Sequence, residues 1–345
     1  MNNWLMIKTK GDPLGTLRRV VKNIWENGKL DGMLVPIDRQ FAGEIKPQIV
    51  YDPSRIDDVN PFKPLMSSNA AKYIPALINK EPDFQFGAML RPCEMRALVE
   101  MAKRKKLSTE KLVTISVDCL GTFPADEFTW RASRKGSSQE LTKEQLQFAR
   151  QGGIMAYRYR SACQLCVSPN AFGADLNIGI MGLPVRQTIL ISAKNSALRE
   201  KYQLDKISDS PADASLVRQR EKLIARLEAR RKGTRERVTQ GIADIIPDTI
   251  EDLIAHLEEC GECKACLDIC PICSVDYPQR GKDNQYLVED VKRWMLSCAG
   301  CGMCEQVCPQ HQPLNLIFGN IQTFLAEKYL YSPGVSPEQP LPIPV

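Results

Sequence analysis

The sequence is poor in histidine and in aromatic residues. Only two of its 345 residues are histidine, and phenylalanine, tyrosine and tryptophan together make up 7%. With so few imidazoles, we predict that His256 and His311 are helix-surface residues and not metal ligands. The net charge is only +5, and the basic residues are spread along the chain without interleaved aromatics. This pattern excludes a typical nucleic-acid-binding surface.

Long hydrophobic runs are also missing. The longest apolar stretch, residues 178–191, is interrupted by Arg186 and Gln187, so no membrane span is predicted. A chain without a membrane span can still associate with a membrane-bound partner. The start of the chain has no basic segment followed by an apolar core, and we therefore expect no signal peptide. Because cysteines without an export signal indicate a reducing interior, we predict a cytoplasmic protein whose thiols bind metals.

Cysteine is the residue that the chain has in abundance. Thirteen are present, and eight of them form two runs of the pattern C-x2-C-x2-C-x3-C-P between residues 260 and 309. The first run is Cys260, Cys263, Cys266 and Cys270, and the second is Cys298, Cys301, Cys304 and Cys308. This double run is typical of a two-cluster [4Fe–4S] ferredoxin.

The spacing of each run has a physical reason. Three thiolates two residues apart can occupy three corners of one cube, whereas the fourth thiolate of each run binds the other cluster. The predicted ligands of one cluster are Cys260, Cys263, Cys266 and Cys308, and those of the other are Cys298, Cys301, Cys304 and Cys270. Zinc sites usually contain C-x2-C pairs instead, and disulfides require an oxidising compartment.

The first 207 residues alternate between strands and helices and predict an α/β domain. Strand 86–90 ends at Arg91-Pro92-Cys93, and strand 113–117 ends at Asp118-Cys119. Both cysteines are therefore expected at the carboxyl edge of the sheet, where open α/β sheets place their sites. Cys163 and Cys166 add a C-x2-C pair. Each cysteine alone is typical of a core position, but together the four predict a third tetrahedral site.

A glycine-containing loop, Gly11–Thr16, follows the first strand and opens a helix. Free backbone N–H groups at such a place can bind a phosphate. The letters GDPLGT do not match a dinucleotide fingerprint, so a plain connecting turn is an equal alternative.

The remaining segments complete the predicted organisation. Residues 208–247 are predicted to be a charged helical linker, and residues 248–331 an all-helical domain with two [4Fe–4S] clusters. Residues 332–345 are rich in proline. We predict that this tail is extended and cannot pack a core, so that it is either disordered or laid on a partner.

The first half of the chain resembles the beta subunits of hydrogenases and formate dehydrogenases that reduce the deazaflavin coenzyme of methanogens. The resemblance covers roughly residues 3–200 and rests on four local matches. These are GDPLGTLRRVVKNIWENGKLDGMLV, NAAKYIPAL, RPCEMRAL and RYRSACQLCVSPNAFGADLNIGIMG. Two departures are Ser116-Val117-Asp118, where the family usually has Gly-Leu-Phe, and a ferredoxin module that follows the flavin domain instead of preceding it.

The resemblance implies that the α/β domain binds both iron–sulfur and flavin. Carried over to this sequence, Cys93, Cys119, Cys163 and Cys166 become ligands of a third [4Fe–4S] cluster. It also implies a bound FAD, with Gly11, Gly15 and Thr16 as candidate contacts.

These features together predict an iron–sulfur flavoprotein subunit that transfers electrons within a larger anaerobic oxidoreductase. Other subunits of that complex would catalyse the second half-reaction, such as formate or hydrogen oxidation, because this chain has no sign of a molybdopterin or nickel site. Two alternatives stay open. One is a flavin-free iron–sulfur conductor or docking subunit, and the other is a zinc-binding structural protein.

Overall fold

The computed structural model describes residues 3–39, 44–104, 107–154, 156–260 and 263–345. The strands in these ranges are β1 (Leu5–Lys8), β2 (Gly32–Arg39), β3 (Glu44–Val50), β4 (Phe86–Leu90), β5 (Leu112–Val117), β6 (Leu176–Gly179), β7 (Thr188–Ala193) and β8 (Ser210–Pro211). They form one sheet in the order β3-β2-β4-β5-β6-β7-β1-β8. The predicted α/β domain is thereby confirmed.

The α-helices lie both between the strands and after them. Up to the end of the sheet they are α1 (Pro13–Gly28), α2 (Ile74–Lys80), α3 (Pro92–Ala102), α4 (Ala125–Lys135), α5 (Ser138–Gln147), α6 (Ser161–Gln164), α7 (Ser196–Lys201) and α8 (Leu204–Ile207). The later ones are α9 (Ala214–Gly241), α10 (Ile250–Glu259), α11 (Ala265–Ile269), α12 (Val288–Leu296), α13 (Met303–Gln306) and α14 (Leu314–Lys328). None of the described helices is long and apolar enough to cross a membrane.

Strand direction decides which loops meet. β2, β4, β5 and β6 pair in parallel, and β7 runs antiparallel to both β6 and β1. β1 therefore points the same way as β6. The loops that follow these parallel strands all leave the sheet at its carboxyl edge, where α/β proteins build their sites.

The two faces of the sheet pack against different parts of the chain. Alternate residues of a strand point to opposite faces, and Ile115 belongs to the core formed with α1 and α9, whereas Leu112 belongs to the core formed with α3, α10, α12 and α14. The cysteine-rich C-terminal helices are therefore packed directly on the α/β domain through α3. Apolar burial of this extent stabilises one fixed arrangement of the two parts.

The segment 208–247, predicted to be a charged helical linker, is mostly helical and packs on the α/β domain. Ser210–Pro211 forms β8 beside β1, and α9 continues for 28 residues, with Val217, Leu223 and Leu227 buried in the core of the α/β domain. Because this helix is strongly charged, its sequence pattern does not show that the buried face includes arginine as well as apolar residues. Long arginine side chains can be buried when their guanidinium groups find partners.

The proline-rich tail is extended, but it lies against its own chain. Ile343 is 8% exposed, the carbonyl of Pro344 accepts a bond of 3.0 Å from Arg293, and Gly334 N donates to Glu100 Oε1 at 2.7 Å. The sequence pattern does not reveal these contacts because each of them is made with a distant helix.

The C-terminal part is helical, as predicted. Beyond Gly241, the described residues contain helices and one isolated bridge between Arg280 and Tyr286. His256 lies on α10, half-buried. His311 is exposed, but it lies in the turn after α13 and not on a helix.

Candidate metal centres

Cys93 and Cys119 lie next to each other because their strands are neighbours. β4 and β5 pair in parallel, with Leu90 opposite Ser116, and each cysteine follows its strand by two or three residues. Cys93 is also the second residue of α3, whose start is held by Glu94. The Glu94 carboxylate accepts bonds from Arg91 N at 2.7 Å and from Ala70 N at 3.1 Å.

The C-x2-C segment closes over the same place. Cys163 N donates to Arg160 O at 2.9 Å, and Cys119 N donates to Pro169 O at 2.9 Å. A small cavity results, here called the N-terminal cavity. All four predicted thiols line it, and they are called the N-terminal set: Cys93, Cys119, Cys163 and Cys166. The structure thus brings together all four cysteines that the sequence singled out in the first half.

The N-terminal cavity is strongly cationic. Arg91, Arg160 and Arg231 contribute to its wall, and Arg160 Nη2 lies 3.7 Å from Cys163 Sγ. Burial disfavours the Cys163 thiolate, but Arg160 and a hydrogen bond with Thr122 outweigh it and lower the pKa of Cys163. Lowered thiol pKa values favour the thiolate, which is the form that binds metal.

The other thiols at this cavity differ from Cys163. Burial raises the pKa of Cys119 to about 11 and raises the pKa of Cys93 well above its ordinary value. Positive metal centres would offset this penalty, because a coordinated thiol is deprotonated by the ion that it binds. The donor set therefore fits a cationic inorganic cluster better than it fits free thiolates.

The second run forms a separate site in the C-terminal part. A small cavity, here called the middle cavity, has Trp294 and Phe318 among its lining residues. Four cysteines line it, and they are called the middle set: Cys270, Cys298, Cys301 and Cys304. Cys270 comes from the first run, so the fourth cysteine is placed with the second run, as the crossed assignment requires.

The remaining predicted ligands are near enough to act on one another's pKa values, and they are called the distal set: Cys260, Cys263, Cys266 and Cys308. Burial and the neighbouring thiols Cys308 and Cys263 raise the pKa of Cys260. The pKa of Cys266 is raised to about 11 by burial and then by Cys260. Cys263 is exposed, so the distal set lies at the surface of the protein.

The three sets are contiguous. Cys301 belongs to the middle set and also lines the N-terminal cavity. Cys266 of the distal set acts on the pKa of Cys304 of the middle set, which burial raises well above its ordinary value. The order through the molecule is therefore N-terminal set, middle set, distal set.

Cys273, the remaining one of the thirteen cysteines and a member of none of the three sets, lies beside Cys270. It is buried, and its thiol hydrogen bond to Cys270 is the main reason why the pKa of Cys270 is lowered to about 6.

Within the part of the chain that the structure describes, no three cysteine, histidine or carboxylate side chains converge closely enough to chelate a single ion.

A larger cavity of about 430 Å³, here called the edge cavity, lies at the carboxyl ends of β1 and β2. Gly11, which was predicted to contact FAD, lines it together with Asp38 of β2. Gly15 and Thr16 are not among its lining residues. Gly15 N donates to Asp12 Oδ1 at 2.9 Å, and Thr16 is buried, so Asp12 already caps the helix N-terminus that the loop was expected to offer to a phosphate.

Several residues at these cavities cannot be recognised from the sequence. The arginines of the N-terminal cavity are the clearest case. A local signal exists for two of them, because Arg91 directly precedes Pro92-Cys93 and Arg160 lies three residues before Cys163. No local signal exists for Arg231, which lies on α9 and donates to Cys166 O at 3.0 Å.

Comparison with known proteins places the chain among redox-enzyme subunits. It is 23% identical over 299 residues to the F420-dependent formate dehydrogenase subunit beta of Methanocaldococcus jannaschii, covering 75% of this chain and 76% of that protein. It is 25% identical to the F420-dependent formate dehydrogenase 1 subunit beta of Methanococcus maripaludis, covering 97% of this chain and 94% of that protein. No protein-family model matches.

A solved structure has a similar fold. A chain of the F420-reducing [NiFe] hydrogenase complex from Methanosarcina barkeri matches with a TM-score of 0.50 and 14% identity, covering 68% of this chain and 91% of that chain. This similarity concerns the fold alone.

Proposed function

We propose that this chain, which is similar to F420-dependent formate dehydrogenase beta subunits, belongs with them and is the electron-transfer subunit of an anaerobic oxidoreductase complex. In this proposal it binds three [4Fe–4S] clusters and one FAD, and a partner subunit supplies or accepts the single electrons. The observation that supports it most directly is the contiguous series of three four-cysteine sets, joined at Cys301 and ending at the exposed Cys263.

The residues present fit the proposed clusters. Each set has four thiols, and the thiols of the N-terminal and middle sets each line one cavity. When bound, [4Fe–4S] clusters provide one-electron carriers whose potentials depend on charge, hydrogen bonding and solvent exposure. The chain controls all three quantities: arginines surround the N-terminal set, buried aromatic residues cover the middle set, and the distal set is open to solvent.

The edge cavity is the proposed flavin site. It lies at the carboxyl edge of the sheet, and its wall combines the cations Arg18, Lys143 and Arg186 with apolar Leu14 and Leu146. Such a mixture suits a ligand with phosphates at one part and an apolar ring at another. A bound flavin supplies the exchange between two-electron and one-electron chemistry.

One buried atom at the edge cavity is unpartnered. Asn60 is 1% exposed, its Nδ2 donates to Asp38 and Thr142 at 2.9 and 3.0 Å, and its Oδ1 has no hydrogen-bond partner among the described residues. A buried acceptor without a donor costs about 1–3 kcal/mol. A ligand N–H or O–H donor in the edge cavity would satisfy it.

A smaller cavity lies close to both sites. Pro36 and Pro61 line it, and these residues neighbour Asp38 and Asn60 of the edge cavity in the chain. Met66 and Arg91 also line it and are shared with the N-terminal cavity. Through these walls the proposed flavin site adjoins the N-terminal set, so that the redox groups would follow one another without a large gap.

Composition of the purified protein tests the proposal. After anaerobic purification we expect about twelve irons and twelve sulfides per chain, from three cubes, and close to one acid-released FAD. Eight irons with FAD present would contradict the third cluster, whereas twelve irons without FAD would favour the flavin-free conductor. Zinc without labile sulfide would favour a structural zinc protein and overturn the proposal.

A further inference from the structure

One arginine bridges the N-terminal and middle sets. Arg96 lies on α3, one helical turn after Cys93, and its Nη1 donates to Ser168 O at 3.0 Å. Its Nε and Nη2 both donate to Ala299 O, at 3.2 and 3.0 Å. Ser168 follows Cys166 by two residues, and Ala299 directly follows Cys298. A single side chain therefore ties the C-x2-C segment to the loop of the second run.

The charge of Arg96 is directed at thiols of both sets. Burial alone would lower the pKa of Arg96, but the neighbouring Cys166, Cys93 and Cys301 raise it. Within the described part of the chain, Arg96 bonds to the carbonyls of Ser168 and Ala299 and to the Cys166 thiol, and no carboxylate forms an ion pair with it. No carboxylate of the described residues neutralises its positive charge, which therefore acts on the sulfurs of the neighbouring cysteines.

The C-terminal tail holds Arg96 in place. Gly334 adopts a φ of +70°, and a Cβ at this position would lie 2.4 Å from Cβ of Arg96. The bond from Gly334 N to Glu100 Oε1 at 2.7 Å fixes this close approach on the same helix. Only a glycine fits here, since a side chain would collide with α3 and the positive φ disfavours other residues.

We propose that Arg96 is a positioning residue that joins the N-terminal and middle sets and raises the reduction potential of the clusters bound there. This inference rests on the proposed function. The physical reason is that reduction adds one negative charge to a cluster, and a fixed cation a few ångströms away stabilises that charge. The distal set makes no contact with Arg96, so its potential does not depend on this residue.

Substitutions at Arg96 separate charge from bridging. Arg96→Met removes both, whereas Arg96→Lys keeps the charge but has no planar group to bond both carbonyls. Midpoint potentials are measured by dye-mediated titration followed by electron paramagnetic resonance. For Arg96→Met we expect a roughly tenfold shift of the one-electron reduction equilibrium, about 59 mV more negative, at the N-terminal and middle clusters and none at the distal cluster. Arg199→Met, in an exposed ion pair with Asp205, is the control and should leave all three potentials unchanged.

The Arg96→Lys variant tests whether the shift in reduction potential comes from the charge of Arg96. Arg96→Lys should retain most of the potential and weaken the magnetic interaction between the two adjacent clusters. Should it lower the potentials as much as Arg96→Met does, the charge would not be their source, and the inference would be overturned. It is overturned also if Arg96→Met leaves the potentials unchanged with all clusters present. If Arg96→Met does not retain its clusters, Arg96→Gln provides the same test, since its amide still donates to one carbonyl.

Failure of the proposed function is a separate result. In that case the unmodified protein itself lacks the signal of the N-terminal cluster and has fewer than about twelve irons. A protein with all three signals but no response at Arg96 rejects only the inference about this residue.

Discussion

Arg220 and Asp118 form a buried bidentate ion pair, in which Arg220 Nη2 donates to Asp118 Oδ1 at 2.8 Å and Nη1 donates to Oδ2. Their side chains are 3% and 0% exposed. The same carboxylate accepts backbone bonds from Ala171, Ile180 and Met181. Because Asp118 precedes Cys119, this pair attaches α9 to the strand end that presents a thiol of the N-terminal set.

Removing the cation of this pair should destabilise the protein strongly. Arg220→Met leaves the Asp118 charge buried, and breaking such a pair costs about 3–5 kcal/mol. The denaturation midpoint, measured anaerobically by circular dichroism, should fall accordingly. Arg199→Met breaks an exposed pair and should cost about 1 kcal/mol or less. Equal losses in the two variants would show that burial of the Arg220 pair adds nothing.

Loss of one N-terminal thiol should remove one cluster. In Cys163→Ser we expect the iron content to fall from about twelve to about eight per chain, with both C-terminal signals retained, because the middle and distal sets keep all their thiols. Cys273→Ser is the matched control, since Cys273 belongs to no set and serine retains a hydrogen-bond donor toward Cys270; its iron content should not change. Disappearance of the C-terminal signals in Cys163→Ser would mean that the ligand sets are wrongly divided.

The clusters should differ in their resistance to oxidants. Cys263 of the distal set is exposed, whereas Cys301 is shared by two internal cavities. On timed exposure to ferricyanide, the distal signal should be lost first and the N-terminal and middle signals later, because access of the oxidant controls the rate. Earlier loss of the N-terminal signal would contradict the order of the three sets.

Flavin retention should depend on the cations of the edge cavity. Arg186→Gln removes one charge from its wall, and hydrogen bonds to charged groups contribute about 1.5–3 kcal/mol, so FAD affinity should fall by about tenfold or more. Titration of flavin-depleted protein with FAD, followed by fluorescence, measures this change. Lys22→Gln on the exposed side of α1 is the control. Unchanged FAD affinity in Arg186→Gln would place the flavin elsewhere.

Prediction from the sequence was most successful where a pattern is local. The two four-cysteine runs and the strand-end positions of Cys93 and Cys119 follow from short stretches, and the structure places these residues as expected. Strands β3 and β6 were missed, since Glu44–Val50 contains Lys46 and Pro47, and Leu176–Gly179 is only four residues long. Strand propensity is weak evidence for such short or mixed segments.

Segments with strong charge or much proline were predicted less well. The segment 208–247, predicted as a charged helical linker, contains α9, and this helix also contributes Arg220, Arg231 and apolar side chains to the α/β domain. The tail turned out to pack on α3 and α12 through Gly334 and Pro344. In both cases the composition of the segment indicates how it would behave alone. It does not reveal the packing and hydrogen-bond partners, which lie more than fifty residues away in the sequence.

The sequence by itself determined which thiols are candidate cluster ligands, because the cysteines of each run follow one another at the spacing of a [4Fe–4S] ligand loop. Only the tertiary structure decided how the sets are joined, how charged their surroundings are and which set meets solvent. Cys301 borders the N-terminal cavity, and Arg96 reaches Ala299, because packing of the C-terminal helices on α3 brings residues 203 positions apart into contact. Such contacts depend on the whole folded chain, since electrostatic and hydrogen-bonding partners are chosen by distance in space and not by distance in sequence.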